Sequence, residues 1–133
     1  MKRFLLIVLA LILSVAFLFS CSKSGPEGKY VCISVGGKTV TDMMNEAVAE
    51  FEMTMSEYLE LLGMDSIEEF MLLELKPDHT LEATTMGEDD DGTWTQNGDK
   101  ITMIIDGDPQ DFTLKGNELT CVIDGAEYIF RKK

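Results

Sequence analysis

The sequence predicts a mainly β fold, an eight-stranded antiparallel up-and-down meander able to close into a barrel, with one helical insert between strands 1 and 2. Three observations carry this. Gly98, Gly107, Gly116 and Gly125 recur at intervals of nine residues, each inside a turn signal. Apolar and polar residues alternate with period two between those turns. A single stretch after the first strand has the three-and-four spacing of a helix instead.

The last four strands are the clearest. Ile101, Met103 and Ile105 share one face, as do Phe112 with Leu114, Leu119 with Cys121 and Ile123, and Tyr128 with Phe130. The turns Asn97-Gly98, Asp106-Gly107 and Asp124-Gly125 suit type I′ hairpins, in which both central residues take positive φ. Three strands precede them. Phe70–Lys76 ends at Pro77-Asp78-His79, Thr80–Met86 runs into an acidic loop at 87–91, and Gly92–Gln96 carries Trp94. A strand over Lys29–Val35 opens the domain and stops at Gly36-Gly37.

Between strands 1 and 2, Met44, Val48, Phe51, Met55, Tyr58 and Leu62 form one apolar stripe, and Gly63 is placed to end the helix. Thr54 with Glu57 is a capping-box pattern, so two shorter helices are an alternative to one. Ser66 with Glu69 is a second such pattern. The insert spans about 39–69.

The N-terminus has a different texture. Met1-Lys2-Arg3 precedes an apolar run from Phe4 to Phe19, shorter than the roughly 20 residues a spanning helix needs. Leu18, Ser20 and Cys21 resemble the lipobox of bacterial lipoproteins. The resemblance implies a signal peptide over 1–20, lipidation at Cys21, a small polar tether over 21–28 and a β domain over 29–133. The partner implied is a membrane, held through the lipidated cysteine. The address is extracytoplasmic, at the cell membrane or, if the source has one, the outer membrane.

The chain carries 24 acidic and 11 basic residues, a net charge of −13. Loss of Lys2 and Arg3 with the leader takes this to −15. So acidic a domain is unsuited to nucleic acid, which needs clustered Lys and Arg, and anionic headgroups should repel it.

No catalytic set is visible and no enzyme is expected. His79 is the only histidine and falls in a polar turn. Glu88-Asp89-Asp90-Asp91 reads as a solvated loop or a weak calcium ligand set, without the spacing of an EF-hand. Cys32 and Cys121 are able to pair outside the cytoplasm, and equally able to serve as small core residues. The methionines of the insert suit core packing, an adaptable apolar pocket or Cu(I) ligation. No metal and no cofactor is expected.

Gly28-Lys29-Tyr30 resembles the Gly-x-Trp start of lipocalin first strands, with Tyr for Trp. Gly92-Thr93-Trp94, Asn97-Gly98-Asp99-Lys100-Ile101 and the segment Leu119–Lys132 resemble the meander of small lipocalin-like lipoproteins of clostridia-type bacteria. The resemblance implies a lipocalin-like barrel and no catalytic residue. The helical insert departs from a typical lipocalin.

Eight strands make a barrel just wide enough to be filled by side chains or to hold one small ligand. The bulky inward set favours a filled core, with a cavity under the helix as the alternative. Two functions follow. One is capture of a small apolar ligand between insert and barrel by Met44, Phe51, Met55, Tyr58, Trp94, Met103, Phe112 and Tyr128. The other is a solid-core protein-interaction or structural module of the cell envelope, its protein partner unspecified.

Overall fold

The computed structural model describes residues 25–133. The expected leader, Cys21 and the start of the expected tether lie outside the described residues. Strands β1 (Gly28–Val35) and β2 (Lys38–Thr39) form a short hairpin. Helices α1 (Val40–Glu50) and α2 (Met55–Leu62) and a 3-10 turn (Ile67–Phe70) follow. Then come β3 (Met71–Leu75), β4 (Thr80–Thr85), β5 (Glu88–Asn97), β6 (Lys100–Ile105), β7 (Asp108–Lys115), β8 (Glu118–Ile123) and β9 (Ala126–Lys132). Each strand from β3 to β9 pairs antiparallel with the next, and β1 pairs with both β3 and β9. The result is a closed eight-stranded antiparallel barrel with β2 as an appendage, an architecture that fits a lipocalin-like barrel. All these pairings lie within residues 28–132, so a chain beginning at Ser22 retains every one.

The two ends of the barrel use different turns. At the insert end, Gly36-Gly37, Met86-Gly87, Asp106-Gly107 and Asp124-Gly125 have positive φ at both central residues, the type I′ pattern. At the other end the central residues are Gly98-Asp99 and Gly116-Asn117, with positive φ at the glycine alone. That is the II′ pattern, so Asn97 ends β5 instead of entering a I′ turn. Either hand suits the right-handed twist of the flanking strands.

Inward residues of the II′ end pack solidly. Tyr30, Leu75, Leu81, Trp94, Ile101 and Leu119 are each no more than 2% exposed. Trp94 is held on every side: Nε1 donates to the Lys76 carbonyl at 3.0 Å, and the His79 ring stacks on the indole at 4.4 Å. Tyr30 donates its hydroxyl to the Pro26 carbonyl at 2.8 Å, and Lys132 Nζ donates to the Gly25 carbonyl at 3.1 Å. Gly25 and Pro26 therefore lie against this end.

The insert differs in one respect from a single continuous stripe. Phe51–Thr54 breaks it into two helices, and Phe51 is 62% exposed, stacked on Tyr58 at 6.3 Å. Thr54 forms the capping box, its Oγ1 accepting from Glu57 N while Glu57 accepts from Thr54 N. Ser66 makes no side-chain cap; Glu69 instead accepts from Asp65 N at 2.7 Å. Gly63 ends α2 with φ 73°. Val40, Met44 and Met64 are buried against the core.

Residues 88–91 are a second difference: they are strand, not loop. They pair with Thr85–Glu82 of β4, and the turn before them is Met86-Gly87. β6 stops opposite Gly92, so this stretch of β5 has a neighbour on one side only. Its four carboxylates guard an open sheet edge, where charge discourages pairing with other chains.

Candidate functional site

Two seams of the barrel are short. β1 and β3 pair over four residues, Gly28–Val31 with Leu75–Leu72. The insert fills the gap above, because the 3-10 turn contacts β1, β3 and β4. Met86 N donates to Phe70 O and Gly87 N to Glu69 O, so the insert also reaches the β4–β5 turn. A Cβ at Gly87 would collide with the Gly63 carbonyl, which is why this approach needs glycine. β7 and β8 pair over only three residues, Thr113–Lys115 with Thr120–Glu118. Above Thr113 β7 and β8 part with no strand pairing between them among the described residues, and Pro109, on the open stretch, has no N–H to offer.

Behind the open β7–β8 seam lies a cavity of about 210 Å3. Leu73, Ala83, Met103, Phe112 and Phe130 are buried and form its deep end. Phe112 and Phe130 meet edge to face at 5.9 Å. Met71, Ile105 and Ile123 make the upper wall, and Thr85, Asp108 and Gln110 supply polar groups near the rim. Every lining residue comes from a strand. The barrel is thus solid at its II′ end and hollow at its I′ end. A larger depression, about 380 Å3, lies outside it along α2 and is open to solvent.

Of the residues expected at a ligand site, Met103 and Phe112 line the cavity. Met44 is buried, and Met55, Tyr58 and Tyr128 are half-buried against the core without reaching the lining. Phe51 is exposed, and Trp94 belongs to the solid end. Met71, Leu73 and Phe130 also line the cavity; their signal is the alternation of bulky apolar residues along their strands. Asp108 and Gln110 carried no sequence signal, because polar residues beside an Asp-Gly turn are ordinary.

Cys32 and Cys121 are both free and buried. Burial raises each thiol to about 11, and the nearby Cys32 charge adds to the effect at Cys121. Such thiols are poor nucleophiles and poor metal ligands at neutral pH. Among the described residues, no group of three or more His, Cys, Asp or Glu is placed to hold a metal ion, and no helix is long and apolar enough to cross a membrane.

No protein-family model and no curated protein matches the chain. Among solved structures, a DUF4847 family protein from Bacteroides vulgatus ATCC 8482 is similar, with 16% identity and a TM-score of 0.49. The likeness covers 81% of this chain and 94% of that one.

Proposed function

We propose that this chain is a lipid-anchored extracytoplasmic lipoprotein that binds a small apolar ligand inside the open end of its barrel. The observation that carries the reading is the apolar cavity behind the β7–β8 seam. A concave apolar site with a few polar groups at its rim is the ordinary form of a small-molecule site. In this reading the ligand sits between strand side chains and not beneath the insert, a choice supported by the strand-only lining. The insert becomes a one-sided wall of the mouth. Binding without chemistry fits the placement of His79, whose ring is engaged with Trp94 at the opposite end.

The test uses the chain beginning at Ser22, so that no acyl chain competes for the probe. Titration with the apolar fluorophore 1-aminoanthracene gives a saturable rise in emission at one site per chain. Ala83→Phe, which fills the deep end, abolishes that rise without lowering the melting temperature. No saturable signal from the unaltered chain would leave the solid-core interaction module as the better reading.

The anchor is supported by the lipobox resemblance at Leu18-Phe19-Ser20-Cys21. Two acyl chains on one cysteine give stable attachment where a single chain gives only marginal binding. Growth with a labelled fatty acid marks the native protein and leaves Cys21→Ser unmarked; equal label in both would end the lipoprotein reading.

A further inference from the structure

We propose that the cavity selects a small amphiphile with a cationic head, an amine, over neutral and anionic molecules of the same shape. This rests on the binding reading above and adds the chemical class of the ligand. Asp108, one of two aspartates of β7, is on the cavity lining beside the unpaired seam. Two further carboxylates lie on the inner face of β5, across β6 from it. Register places Asp90 opposite Ala83 and Glu88 opposite Thr85, and both partners line the cavity. Opposed residues of an antiparallel pair share one face of the sheet. Asp106 and Asp124 occupy the two neighbouring turns at the same end.

None of these five carboxylates takes part in the six ion pairs among the described residues. The cations are elsewhere. Lys29, Lys76, Lys100, Lys115, Arg131, Lys132 and Lys133 sit at strand ends of the solid half. Toward the insert, Lys38 is paired with Glu46, and the Lys133 ammonium reaches Glu68 of the 3-10 turn, so both charges are already matched. An apolar pocket rimmed by carboxylates of one sign attracts a cation and repels an anion before either has entered. Low-dielectric walls make the discrimination larger than in open water. The apolar body enters the Phe112–Phe130 end, and the ammonium group stays at the rim with Asp108, where it keeps part of its hydration.

The experiment is displacement of 1-aminoanthracene from the chain beginning at Ser22 by three compounds with one bicyclic body: 1-naphthylmethylamine, 1-naphthylmethanol and 1-naphthoic acid. The amine displaces at roughly one-tenth the concentration needed for the acid, a ratio set by one partly solvated charge contact, and the alcohol falls between. In 1 M salt, where the screening length is about 3 Å, the spread narrows. Asp108→Asn removes most of the amine's advantage and leaves the alcohol unchanged. Asp124→Asn, off the lining at the same end, alters the ratio less. Equal displacement by all three, or an undiminished preference in Asp108→Asn, overturns the cation selectivity while the pocket stands. If the fluorophore and all three compounds fail to bind, the pocket reading and the selectivity fall together.

Discussion

Met86, Asp106 and Asp124 hold the same place in three hairpins, each the first central residue before a glycine, with φ of 50°, 53° and 51°. Asp tolerates the left-handed region; Met gains nothing there and bears its steric cost. Met86→Asn should therefore stabilise the protein by about 0.5–1 kcal/mol, seen as a higher urea midpoint. The glycines divide by what surrounds them. At Gly98 and Gly125 a Cβ would meet nothing, so valine there costs only backbone strain, about 1–2 kcal/mol. At Gly92 a Cβ would overlap the Ile104 carbonyl, so even alanine must push two strands apart. The expected order of urea midpoints is Gly98→Val above Gly92→Ala. The buried thiols give a pH signature. With folded values raised to about 11, Cys32 and Cys121 stay neutral in the barrel after the unfolded chain has begun to ionise near 8.5. Their contribution is complete below that pH and lost as pH rises through 11. The midpoint should fall more steeply between pH 9 and 11 in the native chain than in Cys32→Ala/Cys121→Ala.

At the scale of elements, α2 is the weakly embedded helix of the insert. α2 has no fully buried residue, and Leu61 is 68% exposed. Its capping box is a main local support, and Thr54→Ala should cost about 1 kcal/mol of local stability. Amide exchange in 40–62 should be faster than in 100–130, and Thr54→Ala should accelerate α2 selectively. Equal protection of insert and meander would show the helices to be part of the core. The insert was legible in outline because helical spacing and the Gly63 stop are local signals. Its break at Phe51–Thr54 was legible only as the Thr54–Glu57 alternative. The strand at 88–91 was hidden, because Asp and Glu favour loops and the Met86-Gly87 turn lacks a turn-forming first residue.

For the whole molecule, period-two alternation and turn spacing define which residues face inward, and nearly all of them do. They do not define how far each pair of strands stays together. The open seam above Thr113↔Thr120 lies where β8 leaves β7 while staying paired with β9, a relation among three strands that no single segment encodes. The inward set favoured a filled core, which the II′ half shows; the cavity of the other half is lined by strand residues alone and is not the one expected under the helix. Met103 and Phe112 were nameable in advance while Asp108 was not.

The pairing of β1 with β9 has a consequence in time. Cys32 meets Phe130, and Tyr30 meets Lys132, so the first strand made is completed by the last. A chain emerging from the ribosome can form its hairpins one by one, but closure must wait for the final seven-residue strand. Such a distant contact is slow to find because its loop entropy is met before any reward. The order of synthesis thus keeps the barrel unclosed until β9 has been made, however many hairpins have formed before it.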